Sequence, residues 1–244
     1  MTATPGFRPK RAIVLSAGLG KRMRPITATT PKPLIEVAGR SLIDHSLDRL
    51  AEIGVEQAIV NVHYLADLVE VHVGRRSEPK ITISDERDQL LETGGAVKKV
   101  LPQLQGEAFL LLNSDSTWVE GVRPNLALLC DRWDPEHMDI LLMLAPVVSC
   151  TGYSGLGDFE MDQAGRLSRR ASQRMAPFAY AGALIMNPAL FNDAPEGKFS
   201  LNVLFDQTIR DGRLFGMRME GFWLHIGTPD AIKAAENAIE LSAV

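Results

Sequence analysis

Four apolar runs in the first 115 residues constrain the fold most: RAIVLSA (11–17), EQAIVNVHY (56–64), KITISDE (80–86) and EAFLLLNSD (107–115). Each is short and rich in β-branched or aliphatic residues, so each reads as a strand, and the unbroken apolar run at 11–17 reads as a buried one. Segments of helical character separate them, at 41–54, 65–74 and 92–104. In the first, Ile43, Leu47, Leu50 and Ile53 fall on one face, Ser41 and Asp44 form a capping-box-like start, and Gly54 supplies a stop. Strands alternating with helices specify an α/β fold with a parallel, doubly wound sheet. Such sheets bind ligands beyond the carboxyl ends of their strands. Three polar clusters fall there: 18–22, 86–95 and 113–115.

The second half is more mixed. It reads as a strand at 138–147, a hairpin at 157–170 turning at 163–165, a strand at 178–187, a helix at 201–212 and a strand pair within 214–229. A last helix follows at 229–241, capped by Thr228 with Pro229 in its first turn. No linker, repeat or low-complexity tract divides the chain, so a single domain spanning 1–244 is expected, with a substrate-side lobe around 150–225. Residues 1–10 read as a loose basic leader.

Bulk properties exclude several classes. A formal net charge of −4 gives no general attraction to nucleic acid. No run approaches the roughly 18 apolar residues of a membrane span, and no signal-peptide core follows the N-terminus; a cytoplasmic protein is expected. The two cysteines, Cys130 and Cys150, make no disulfide framework. The cations Arg8, Lys10, Arg11, Lys21, Arg22, Arg24 and Lys32 crowd the N-terminal end and suit a local anion site.

The stretch after the first strand, GLGKRM, is neither a Walker A loop nor a Rossmann fingerprint. One residue separates Gly18 from Gly20, Arg22 follows Lys21, and Met23 stands where a third glycine would be needed. Its two glycines still let backbone approach a ligand closely. Lys32 lies between Pro31 and Pro33, whose fixed backbone angles lower the entropy of presenting its side chain. Lys21, Arg22 and Lys32 can together neutralise a triphosphate and a second phosphorylated substrate.

The ordered set LSAGLGKRMRP, TPKPL, ETGGA, LLNSD, YAGALIMNPALF and FWLHIGTP resembles the sugar-1-phosphate nucleotidyltransferases over essentially the whole chain, with Ser16 in place of the usual second alanine. The resemblance implies a Rossmann-like nucleotidyltransferase fold, a mostly parallel central sheet flanked by helices with a small sugar-binding lobe. Residues 11–135 would form the nucleotide-binding half and 136–244 the sugar-phosphate-binding half. It implies that a nucleoside triphosphate and a sugar 1-phosphate are joined with release of pyrophosphate. Arg22, Lys32 and Asp115 would be catalytic. Leu15, Ser16, Ala17, Gly18, Gly20, Lys21, Glu86, Gly94 and Asn113 would meet the nucleotide, and Thr93, Gly95, Tyr180 and Gly182 the sugar phosphate. Asp115 would bind Mg²⁺. Each of these has a structural alternative: a turn or cap for Asp115, a helix entrance for the 92–95 stretch, packing for Tyr180. Oligomeric state is not legible.

The chain departs from the family pattern at His225, where an aspartate usually supplies a second metal ligand. Three readings stay open. Asp115, phosphate oxygens and water hold Mg²⁺ without a second carboxylate; or His225 ligates and shifts preference towards Mn²⁺; or His225 binds phosphate or water and a neighbouring carboxylate serves instead; a purely structural His225 is the plain alternative. Among short single-domain members the resemblance points to uridylyl transfer from UTP to N-acetylmuramate 1-phosphate. The alternatives are guanylyl transfer from GTP to mannose 1-phosphate and a regulator that binds a nucleotide sugar without turning it over.

Overall fold

The computed structural model describes residues 6–242. The chain runs β1 (Arg11–Leu15), a small hairpin of β2 (Glu36–Val37) and β3 (Arg40–Ser41), α1 (Leu42–Glu52), β4 (Gln57–Val62), α2 (Ala66–Val73), β5 (Lys80–Asp85), α3 (Glu92–Val100), β6 (Phe109–Asn113), β7 (Ser116–Val119) and α4 (Asn125–Arg132). It continues with β8 (Ile140–Pro146), β9 (Cys150–Thr151), β10 (Phe159–Met161), β11 (Leu167–Arg169), β12 (Phe178–Met186), α5 (Asn202–Arg210), β13 (Leu214–Arg218), β14 (Phe222–His225) and α6 (Pro229–Ser242).

The α1 boundaries follow from its ends. Ser41 Oγ accepts the Asp44 amide at 3.2 Å, and Gly54 takes the left-handed φ of 81° just past the last turn. The helix expected over 92–104 stops at Val100 and tightens into a 3₁₀ turn, Leu101–Leu104. Pro102 has no amide hydrogen, and its ring would strike the Lys98 carbonyl of a continued α-helix.

The main sheet orders its central strands β12-β6-β1-β4-β5, with β6, β1, β4 and β5 mutually parallel. β12 runs antiparallel to β6 and also to β8, and β13 lies parallel beyond β8. From β1 the chain moves outward to β4 and β5, then α3 carries it back to β6 on the other side of β1. That reversal opens a crevice between the carboxyl ends of β1 and β6. Alternate β1 side chains serve two cores. Ala12 and Val14 join Leu47, Leu50, Val69 and Leu129 of α1, α2 and α4. Ile13 joins Val97, Leu204 and Phe205 of α3 and α5. Burial on both faces accounts for the continuous apolar runs.

The lobe grows beyond the same strand ends. β12 outruns β6 at its start, and its Phe178 pairs with Phe159, so the β10–β11 hairpin projects past the end of β6. The expected strand pair within 214–229 forms two strands that do not pair with each other. β13 joins β8 in the main sheet, while β14 pairs with β7 and β9 in a separate three-stranded sheet. Gly221, at φ 74° with Val119 carbonyl against its α-carbon, turns the chain between them. Neither partner of β14 is local in sequence, which hid the pairing.

Of the leader, residues 1–5 lie outside the described residues. From Phe7 onward it is tied down rather than loose: the Phe7 ring sits 6.1 Å from that of Trp133, and Arg8 pairs with Asp131 at 3.2 Å. Lys10 pairs with Glu56 and Arg11 with Glu107, both at 3.6 Å. These three cations lie at the amino end of β1, away from the crevice, so the N-terminal crowd of positive charge in the sequence is two groups in space.

Candidate active site

The crevice holds a cavity of about 490 Å³, within the roughly 300–1,000 Å³ typical of small-molecule sites. Leu15, Ser16, Ala17, Gly18, Gly20, Lys21, Arg22, Lys32, Thr93, Asn113 and Asp115 line it, as do Met23, Pro33, Asn61, Leu90, Glu92, Ser114, Ser200 and Gly227. The first eleven are residues singled out in the sequence.

Loop 16–25 is fixed from below. The Ser16 amide donates to Asn61 Oδ1 at 2.7 Å, and Ser16 Oγ donates to the Asn61 carbonyl. Asn61 Nδ2 in turn donates to Glu86 Oε1 at 2.8 Å, and Glu86 Oε2 accepts the Leu91 amide at 3.0 Å. A chain of buried hydrogen bonds thus ties together the ends of β1, β4 and β5. Glu86 is fully buried, and the cavity wall does not include it. Asn61 was missed in the sequence; the signal was a polar residue interrupting the apolar AIVNV run at a strand's carboxyl end.

The two loop glycines differ. Gly20 has φ 58°, and an added carbon there would lie 2.8 Å from Thr27 Cγ2 and 3.2 Å from Lys32 Cβ. It is required by the turn, whose carbonyl accepts Thr27 Oγ1 at 2.8 Å. At Gly18 nothing lies within 4 Å of such a carbon. The absence of a side chain there leaves backbone facing the cleft.

Across the crevice, the Ser114 amide and hydroxyl both donate to the Leu15 carbonyl, at 3.1 and 2.8 Å. That closes β6 onto β1 and holds Asp115 at the mouth. Lys32 Nζ lies 3.2 Å from Asp115 Oδ2; the lysine side chain is 11% exposed and the aspartate 38%. The Pro31–Pro33 turn delivers the buried lysine as a 3₁₀ turn, Lys32–Leu34.

Gly94, Gly95, Tyr180 and Gly182 are not among the residues that line the cavity. Gly94 and Gly95 both donate their amides to the Phe199 carbonyl, at 2.8 and 3.2 Å. A carbon added to Gly94 would strike the Phe199 ring, and one on Gly95 the Gly197 carbonyl. These glycines let the 197–199 segment dock against α3. Thr93 Oγ1 accepts the Leu201 amide at 2.9 Å and remains on the cavity wall.

Gly182, at φ 86°, sits at the irregularity in β12–β8 pairing between Tyr180 and Leu184. The Tyr180 amide donates to Asp158 Oδ2 at 2.9 Å, and its ring meets Phe205 edge-on at 6.0 Å. Its hydroxyl is buried without a hydrogen-bond partner. Burial, with Asp115 nearby, raises its pKa. His225 forms a three-ring cluster with Tyr153, which meets it edge-on at 5.9 Å, and Trp223, tilted against it at 5.2 Å; the two aromatic rings also touch each other, at 5.3 Å. Burial lowers its pKa, Asp115 pulls upward, and Lys32 and Arg22 push down. The net effect favours the neutral ring.

Among the described residues, the one cluster of three potential metal-ligating groups is Asp134, Glu136 and His137. It precedes β8, at the opposite end of the sheet from Asp115, and is largely solvent-exposed.

A doubly wound sheet with a cleft at its reversal point that gathers Lys21, Arg22, Lys32 and Asp115 defines the α/β class of the chain. Residues 11–242 match the family model for nucleotidyl transferase, and the chain belongs to that family. It is 46% identical over 232 residues to N-acetylmuramate alpha-1-phosphate uridylyltransferase of Caulobacter vibrioides, covering 93% of this chain and 96% of that one. It is 27% identical to the mannose-1-phosphate guanylyltransferase catalytic subunit beta of Danio rerio, covering 90% of this chain and 61% of that one. Its fold matches the inositol-1-phosphate CTP transferase from T. maritima with a TM-score of 0.75, at 18% identity and over 96% of this chain and 98% of that one.

Proposed function

We propose that the chain transfers a uridylyl group from UTP to N-acetylmuramate 1-phosphate and releases pyrophosphate. One observation carries the reading: Arg22, Lys32 and Asp115 meet the bare backbone of Gly18 in a single cleft at the sheet's reversal point. Identity of 46% over nearly both full lengths supports the uridylyl and muramate choice over the guanylyl alternative.

The reaction needs no general base, because a phosphate oxygen of the sugar 1-phosphate is already a nucleophile. It attacks the α-phosphorus, a new P–O bond forms, and the bond to pyrophosphate breaks with its electron pair. The work left to the protein is aligning two anions and offsetting charge. Backbone at Gly18 and Gly20 carries the triphosphate, and Arg22 stabilises the charge that develops on it. Lys32, drawn off Asp115 by incoming phosphate, bridges the reacting centre. The buried Asn61–Glu86 chain keeps the phosphate loop from rearranging during this exchange.

Asp115 fits a divalent cation: an exposed hard oxygen donor at the cleft mouth, held in place by a counter-charge that a metal ion can replace. Asp115 would hold such an ion, which would offset the negative charge that builds at the reacting phosphorus. Mg²⁺ and Mn²⁺ are the candidates.

The test is pyrophosphate release with UTP, GTP, CTP, ATP and dTTP against N-acetylmuramate, N-acetylglucosamine, glucose and mannose 1-phosphates. UTP with N-acetylmuramate 1-phosphate is expected to lead, with the UDP-sugar identified by mass. A thermal shift with nucleotide but no pyrophosphate from any pair would instead mark a nucleotide-sugar binder.

A further inference from the structure

We infer that Thr27 and Tyr64 are positioning residues for the nucleoside triphosphate: they brace the turn at Gly20 against the end of β4 and so set the affinity of the phosphate loop. The inference deepens the proposed function and rests on its assignment of the Gly18 and Gly20 backbone to the triphosphate.

The loop needs bracing from outside. Between β1 and β2 its regular structure is three single 3₁₀ turns, Lys21–Met23, Ile26–Ala28 and Lys32–Leu34. Short turns of this kind carry few backbone bonds and hold their shape poorly alone. The end of β4 supplies the hold at two places. Asn61 ties Ser16 at the loop's start. Just past the strand, Tyr64 Oη donates to the Thr27 carbonyl at 2.8 Å, with the Ala28 carbonyl at 3.4 Å. The segment that carries Tyr64 is itself pinned, because His63 Nδ1 donates to the Glu86 carbonyl at 2.7 Å.

Thr27 passes this hold inward. It is 1% exposed, and its Oγ1 donates to the Gly20 carbonyl at 2.8 Å. The two bonds run in series, from Tyr64 through Thr27 to Gly20. Thr27 Cγ2 also packs so closely on Gly20 that a carbon added to the glycine would sit 2.8 Å from it. Among the described residues, neither Thr27 nor Tyr64 joins a hydrophobic core, and neither lines the cavity. Both hydroxyls are spent on loop carbonyls, which a residue kept for packing does not require. A loop already held in its binding shape loses less freedom when the triphosphate arrives. Lys32 is set separately by its proline-flanked turn, where the Leu34 amide donates to the Pro31 carbonyl at 2.9 Å. Loss of the brace therefore weakens nucleotide binding and leaves the reacting centre in place.

The experiment uses the full chain and the variants Tyr64→Phe, Thr27→Val and Thr27→Ser. Tyr64→Phe and Thr27→Val should each raise the KM for UTP, and its Kd by calorimetric titration, by about 3–10-fold, the range of one hydrogen bond, with kcat held within about twofold. Thr27→Ser keeps the hydroxyl and should keep the wild-type KM. Without nucleotide, backbone amides over 17–24 should exchange hydrogen faster in Tyr64→Phe and Thr27→Val, while those of α1 and β4 stay unchanged. Unchanged KM in both variants, a loss of kcat at constant KM, equal losses in Thr27→Ser and Thr27→Val, or unaltered exchange over 17–24 would each overturn the inference. The exchange readout needs no nucleotide, so it tests the brace separately from the proposed function, which fails instead if the wild-type chain binds no UTP.

Discussion

Two aspartates show how this molecule divides scaffold from site. Asp44, in the first turn of α1, is buried and saturated: it accepts Ser41 Oγ and Arg76 Nη1, and pairs with His72 Nε2, each at 2.8 Å. Burial works to raise its pKa, but the bonds from Ser41, His72 and Arg76 hold it below the ordinary carboxylate value. Asp115, at the crevice mouth, is more than a third exposed and has Lys32 as its ion-pair partner. A carboxylate whose lone pairs are all spent fixes the fold. One with capacity left over, beside a lysine whose side chain is 11% exposed, is available to a ligand.

Exchanging alanine for each separates these roles most sharply. Asp115→Ala should lower turnover by about 10³-fold or more and leave the melting temperature nearly unchanged. Asp44→Ala should do the reverse, costing about 1–3 kcal/mol of stability by removing the shared acceptor of Ser41, His72 and Arg76, although Arg76 keeps Asp48 at 2.7 Å, with normal turnover per folded molecule. Denaturant titration alongside initial-rate assays checks both. If Asp115→Ala unfolds the protein, the distinction fails.

Lys32 sharpens the comparison further, because it serves Asp115 in the resting cleft and phosphate in the occupied one. Lys32→Met should cut turnover by about 10²-fold, yet tighten Mn²⁺ binding in the absence of nucleotide, since the ion no longer competes with an ammonium group. Calorimetric titration of the nucleotide-free variant reads this directly; weaker binding would contradict the exchange.

The glycines repeat the contrast at smaller scale. Gly95→Ala would push a methyl into the Gly197 carbonyl and should cost about 1–3 kcal/mol. Gly18→Ala meets no protein atom within 4 Å, so stability should hold while the KM for UTP rises. Smallest is a pH effect on the scaffold aspartate. Its folded pKa lies below the unfolded value of about 3.9, so its stabilisation is complete above that value and is lost as pH falls through the folded one. Asp44→Asn should flatten the acid limb of the melting temperature between about pH 4 and pH 2, and a limb of unchanged steepness would assign acid unfolding to other groups.

The contrast also explains what could be read without coordinates. The parallel sheet was legible because β1, β4 and β6 are buried on both faces, β5 is bounded by polar residues at the sheet edge, and α1 carries its own start and stop signals in Ser41 and Gly54. The cleft was legible because the topology forces the ends of β1 and β6 together. Saturation was not. Glu86, Gly94 and Gly95 sit at strand and helix ends just as Asp115 and Gly18 do, and only their partners, Leu91 nearby and Asn61 and Phe199 far off in sequence, show that they are already spent. The β14 pairing was hidden for the same reason: Trp223 meets Trp118 across a separation that no local pattern encodes. Arg8, Lys10 and Arg11 misled because proximity in sequence to Lys21 and Arg22 spans the length of a strand.

The most direct measurement is the product formed from UTP and N-acetylmuramate 1-phosphate in the presence of Mg²⁺ or Mn²⁺. The account predicts equal amounts of pyrophosphate and UDP-N-acetylmuramate, both abolished in Asp115→Ala. Faster pyrophosphate release from GTP and mannose 1-phosphate, or undiminished product from the Asp115→Ala enzyme, would contradict it.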